Sequence, residues 1–165
     1  MVNLNTKERM LLQDEKSHEQ LCVEKYNDYA NKACDPALSN LFTQLEQKEQ
    51  QHLDTINQIL NGTVPNVQQG GSQGQQSNQN QQSQQNSSNS TMSSSSTSQG
   101  QSSSNLDKFL CQDSLSTEKY VSQTYNTAIF EFRDKNIRNV LNHIQKEEQE
   151  HGEKIYDYMS QHGMY

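Results

Sequence analysis

No run in this sequence approaches the eighteen or so apolar residues of a membrane helix, and no charged-then-apolar segment opens it. Neither a membrane span nor a secretory leader is therefore expected. Basic charge is also scarce. Thirteen Lys and Arg face twenty Asp and Glu, for a net charge of −7, and no basic patch is interleaved with aromatics. An acidic surface of this kind disfavours nucleic acid as a partner. Cysteine is limited to Cys22, Cys34 and Cys111, an odd number with no Cys-x-x-Cys pair. That pattern fits reduced thiols made in a cytosol, with oxidative cross-linking to a neighbour as the alternative. Apolar residues make up only 29% of the chain. The shortage is local, because residues 62–105 hold no charged residue and little besides Gln, Ser, Asn, Gly and Thr. Such a segment cannot bury enough apolar surface to offset the entropy of ordering it, so 62–105 is expected to be disordered. It reads as a flexible tether or, on its Gln/Asn content, as a sticky or cross-linkable segment.

What remains is helical in pattern. A first helix is expected over about 8–33, with Leu12, Glu15, Glu19, Cys22, Tyr26, Tyr29, Ala30 and Ala33 on one face. Asp35-Pro36 then supplies an N-cap and a first-turn proline, so a second helix should follow at once and pack antiparallel. It should run over about 36–60 on Leu38, Leu41, Phe42, Leu45, Leu53, Ile56 and Leu60, and stop at Asn61-Gly62. A third helix is expected over about 106–132, with Leu110, Ser114, Glu118, Val121, Tyr125, Ile129 and Phe132 facing inward. The fourth, over about 136–160 after an Asp134 cap, carries Ile137, Val140, Leu141, Ile144, Ile155 and Met159.

The second pair of helices repeats the first at an offset of 99 residues. Leu11/Leu110, Asp14/Asp113, Glu19/Glu118, Tyr26/Tyr125, Asp35/Asp134, Glu49/Glu148, His52/His151 and Ile56/Ile155 are all identities at that spacing. The expected organisation is a hairpin over 1–61, the disordered crossover over 62–105 and a duplicate hairpin over 106–165. A flexible crossover of 44 residues spans roughly 35–40 Å, about the length of one such helix. Each hairpin has a single apolar seam and needs a partner to cover it. The expected fold is therefore all-α, a ferritin-like four-helix bundle made of two docked hairpins.

Polar residues interrupt both seams in the same place. Glu49 and His52 break the second helix, and Glu148 and His151 break the fourth, each pair three residues apart and so on one face. Measured from the hairpin turns, Glu19 lies level with Glu49 and Glu118 with Glu148. Docking about a two-fold axis would bring Glu19, Glu49, His52, Glu118, Glu148 and His151 to one level. One Glu from each of two helices and Glu-x-x-His from each of the other two is the ligand pattern of di-iron and di-manganese bundles. Four buried carboxylates must take up protons or bind cations, and two divalent ions would neutralise them. Two other arrangements stay open: a hydrogen-bonded Glu–His layer with trapped water, or side chains rotated out to solvent. Glu15 competes with Glu19 for the inward position, though its counterpart Ser114 could not replace Glu118. Tyr26 and Tyr125 are taken as core packing rather than as redox participants.

Several stretches of the second half carry a resemblance: Glu118-Lys-Tyr120, Tyr125-Asn-Thr-Ala-Ile-Phe-Glu-Phe132, Arg138-Asn-Val-Leu-Asn-His-Ile-Gln-Lys-Glu-Glu-Gln-Glu-His151 and Met159-Ser-Gln-His-Gly-Met-Tyr165. Together they resemble the coat F family of spore coat proteins, found in endospore-forming bacteria and assigned a ferritin-like fold. The first half looks like a divergent copy of the same unit. Family members often have Trp before the last Tyr, where this chain has Met164. The resemblance implies a structural component of the spore coat, made in the mother-cell cytoplasm and assembled through contacts with other coat proteins and with itself. It brings no catalytic residues. The alternative function, resting on spacing and duplication, is a di-metal iron or manganese protein that acts as an oxidase, a peroxide scavenger or a metal store. Transglutaminase cross-linking of Gln and Lys side chains is a third, weaker reading.

Overall fold

A computed structural model describes residues 3–66 and 97–165, without the side chains of 97–103. Four helices follow in order: α1 (Thr6–Lys32), α2 (Pro36–Leu60), α3 (Thr97–Glu131) and α4 (Lys135–Gln161), with no strand among the described residues. None of them is long and apolar enough to cross a membrane.

The helix ends are set by local chemistry. Asn5 caps α1 in a reciprocal box: its side chain accepts from Glu8 N at 2.9 Å, and Glu8 accepts from Asn5 N at 2.8 Å. Asp35 caps α2 ahead of Pro36, and Asp134 caps α4, each accepting from backbone N–H groups of the first turn. Gly62 and Gly163 take positive φ just past the ends of α2 and α4, where a side chain would be strained.

One helix start differs from expectation: α3 begins at Thr97, ahead of the expected start near 106. Once the amphipathic turns from Leu106 onward have formed, each further residue adds a hydrogen bond without a new nucleation cost. The rest of the expected crossover, 67–96, lies outside the described residues.

α1 packs on α2 and α3 on α4, and the two hairpins meet with α1 beside α3 and α2 beside α4. The expected seams form the core: Leu12, Cys22 and Tyr26 from α1; Leu38, Phe42, Leu45 and Ile56 from α2; Leu110, Val121, Tyr125 and Phe132 from the second hairpin's first arm; and the whole α4 stripe. Ile59 and Ala128 join them, although the sequence stripes pass them by.

The hairpins are also tied by polar contacts that run both ways. Asp107, in the first half of α3, accepts from Cys34 N and Asp35 N at 2.8 and 3.0 Å, which closes the turn of the first hairpin. Glu8, which stands 99 residues earlier, accepts from Arg133 N at 3.0 Å and so closes the turn of the second. Arg133 also grips Glu8 with its guanidinium, and this holds the Glu8 carboxyl down at about 2. Asp113 accepts from Lys25 Nζ and Tyr29 Oη, both at 2.7 Å. Since the start of α1 meets the end of α3 and the end of α1 meets its middle, these two helices run antiparallel.

Candidate metal centre

The six polar side chains expected at one level do converge. Glu19, Glu49 and Glu148 are fully buried, and His52, Glu118 and His151 are no more than 2% exposed. Their donor atoms form two groups, each held within 4.8 Å: Glu19, Glu49, His52 and Glu148 in one, and Glu49, Glu118, Glu148 and His151 in the other. Glu49 and Glu148 belong to both groups, whereas Glu19 with His52 and Glu118 with His151 belong to one each. Every group draws on both hairpins.

The imidazoles point the same nitrogen inward. His52 Nδ1 lies 2.9 Å from Glu148 Oε1, 3.3 Å from Glu49 Oε2 and 3.6 Å from Glu19 Oε2. His151 Nδ1 lies 3.0 Å from Glu49 Oε1 and 3.7 Å from Glu118 Oε2. The two rings stack nearly parallel with centroids 5.6 Å apart.

Burial at this level is only partly compensated. Glu19 Oε2, Glu118 Oε2 and both oxygens of Glu148 are buried and receive no hydrogen bond of good geometry among the described residues, although His52 Nδ1 stands close to Glu148 Oε1. Native proteins pair nearly all such atoms, so four of them at one spot call for an explanation. Burial pushes the Glu19 carboxyl up to about 7 and Glu148 well above the carboxylate range, the latter helped by the charge of Glu49. Glu49 goes the other way: burial would raise it, but hydrogen bonds from His151 and His52 hold it at about 2. Both imidazoles rise in spite of burial. His151 is held up to about 9 by Glu118 and Glu49, and His52 is raised by Glu147 and Glu148 in the first place.

Three participants go beyond the expected six. Tyr26 donates its hydroxyl to Glu118 Oε1, and Tyr125 donates to Glu19 Oε1, each reaching across to the other hairpin. Both rings are fully buried, and burial raises both phenols well above their ordinary range. The tyrosines therefore pack in the core as expected, and in addition hold two of the carboxylates. Glu147 was not anticipated. It accepts from the outer nitrogen of His52, Nε2, at 3.0 Å, and Lys48 steadies it at 3.3 Å. A carboxylate behind an imidazole fixes its tautomer and ring orientation, as is usual for histidines that ligate metal. Its position beside Glu148 on the α4 edge gave no periodic signal, because the contact comes from the facing helix.

Glu15 is buried too, but its carboxylate is engaged by Thr124 at 2.9 Å and lies 3.3 Å from His18. It joins neither donor group, and Glu19 therefore occupies the inward position. Ser114, at the corresponding place in the second hairpin, is buried with its hydroxyl unpaired.

Four carboxylates and two imidazole Nδ1 atoms form an oxygen-rich, nitrogen-capped donor set of the type taken by iron, manganese or zinc. Four carboxylate oxygens that receive no hydrogen bond of good geometry from the described residues fit ligation better than they fit a self-contained hydrogen-bonded layer.

Sequence comparison adds an independent finding. Residues 106–165 match the family model of the Coat F domain. The match falls on the second hairpin. The resemblance seen in its motifs is thereby borne out over residues 106–165, the stretch that supplies Glu118, Glu148 and His151 to the polar layer. No curated protein and no solved structure gives a match to the chain.

Proposed function

We propose that this protein is a component of the bacterial spore coat whose ferritin-like bundle holds two divalent metal ions, iron or manganese. The Coat F domain supports the coat assignment. Assembly would proceed through contacts with other coat proteins and with further copies of this chain, after synthesis in the mother cell. The metal assignment is carried by one observation: two four-residue donor groups that share Glu49 and Glu148, at a level where four carboxylate oxygens receive no hydrogen bond of good geometry.

Glu19 and His52 would hold one ion, Glu118 and His151 the other, with Glu49 and Glu148 common to both. When bound, such a pair supplies electrons to peroxide or dioxygen, or serves as a store. The chain's own part is to keep the donors dry and aimed. Tyr26 and Tyr125 restrain one carboxylate each, and Glu147 restrains His52. The recurrence of Glu, Glu-x-x-His and Tyr at an offset of 99, in reciprocal contact, supports an origin by internal duplication.

Elemental analysis tests the proposal. Protein purified without chelator, or loaded anaerobically with ferrous or manganous ion, should hold about two ions per chain, and His52→Ala with His151→Ala should remove most of them. A chain that stays metal-free after loading would leave only a structural coat role. In that case, coat localisation should also survive apolar replacement of Glu49, His52, Glu148 and His151.

A further inference from the structure

A cleft of about 360 Å³ opens on the α3/α4 face, and its lining includes Leu115, Lys119, Ser122 and Gly152 at the outside and Glu118 and Glu148 within. The last two are the buried carboxylates that carry three of the four unpaired oxygens. Among the described residues, this cleft is lined by two members of the donor layer, whose carboxylate oxygens stay buried beneath it. We propose that it is the route by which divalent cations reach the donor layer, and that Gly152 keeps it open. The inference rests on the di-metal reading and adds the path to it.

Gly152 lies in the middle of α4, where glycine costs about 1 kcal/mol relative to alanine. No backbone requirement accounts for it, since its φ is not among the positive ones. Space does. A Cβ there would sit 3.6 Å from Leu115 Cδ1 and 3.9 Å from Glu118 Cβ. A methyl group would thus come into van der Waals contact with the α3 wall, and a longer side chain would run on into the cleft. The first hairpin provides the contrast. The residues 99 positions before Gly152 and Ser122 are Leu53 and Val23, two larger apolar side chains, both half-buried. The two halves match in their ligands and differ in what stands over them, so the opening lies on one side. Carboxylates at the bottom attract a cation inward. Lys119 at the rim is exposed, and its long arm can swing clear of the mouth.

Stopped-flow uptake of Co(II), followed by its visible absorption, tests the route on the full chain. Gly152→Leu, which copies the first hairpin, should take up Co(II) roughly tenfold more slowly while reaching the wild-type stoichiometry. Lys119→Glu leaves every donor in place and should speed uptake about twofold to fivefold at low salt, an advantage lost at high salt. It stands in for the leucine variant should that chain misfold. Wild-type uptake rates in the variants, with normal final binding, would overturn the route and leave the metal centre standing. Failure of every chain, wild type included, to bind Co(II) would overturn both.

Discussion

Replacing Glu148 with leucine should make the metal-free protein more stable and the metal-loaded protein less stable than wild type. Glu148 is fully buried, and neither of its oxygens receives a hydrogen bond of good geometry, although His52 Nδ1 stands 2.9 Å from Oε1. An unpaired buried polar group costs about 1–3 kcal/mol. An apolar side chain of similar volume at such a place is often neutral or stabilising. The nearest imidazole, His52, keeps Glu147 at 3.0 Å and Glu49 at 3.3 Å, so the change does not strand it. The expected gain is about 1–2 kcal/mol, or roughly 3–8 °C in melting temperature for a bundle of about 120 ordered residues. Metal reverses the sign. An ion at a hundredfold excess over its Kd, bound only by the folded chain, adds about 2.7 kcal/mol. The variant lacks a carboxylate common to both donor groups and forfeits most of that. Thermal unfolding followed by far-ultraviolet circular dichroism, in EDTA and in excess Mn(II), measures both signs. A leucine variant that melts several degrees below wild type in EDTA would refute the view that this carboxyl is uncompensated. A wild-type midpoint indifferent to Mn(II) would refute the metal centre.

Further outcomes follow from particular contacts. Tyr26→Phe and Tyr125→Phe each remove a buried hydroxyl that restrains a carboxylate across the hairpin interface, so each should cost about 1–3 kcal/mol in urea unfolding; a loss near zero in both would mean that these hydroxyls do not tie the hairpins together. Glu8 is held below its ordinary value of 4.5, at about 2, chiefly by its hydrogen bond to Arg133. Its stabilising effect is therefore complete above pH 4.5 and fades as the pH falls toward 2, so the stability gap between wild type and Glu8→Gln should be wide at pH 6 and narrow at pH 3. A gap independent of pH would contradict this. Cys22 and Cys111 are buried, whereas Cys34 is exposed. Burial pushes both buried thiols up, Cys111 to about 12, so a thiol reagent should label one cysteine quickly in the native chain and three after unfolding. Cys34→Ser should abolish the fast phase.

Much of this was legible in the sequence because it was periodic. The α4 stripe, the Asp35-Pro36 turn and the helix stop at Gly62 each follow from one local rule, and the structure has all three. The six polar side chains were legible for a different reason: Glu and His at core positions break a stripe, and a break at the same place twice, 99 residues apart, is not easily accidental. The start of α3 was not legible. Ser, Gln and Asn neither demand a helix nor forbid one, and composition alone could not place the point at which helix propagation fails.

What joins the two halves was the least visible. Tyr26 looked like an ordinary core aromatic because its ring is one; only the facing helix reveals that its hydroxyl ends on Glu118, and the same holds for Tyr125 and Glu19. Glu8 and Asp107 belong to none of the sequence stripes, yet each closes the turn of the opposite hairpin. Reciprocal contacts of this kind have a physical consequence. Neither hairpin contains a full donor group, because each group takes Glu or Glu and His from both. A lone hairpin would expose its seam and take from Glu49 or Glu148 the imidazole that the other half supplies. Docking and assembly of the donor layer are therefore one event, so whatever fills that layer stabilises the interface between the halves and not either half alone.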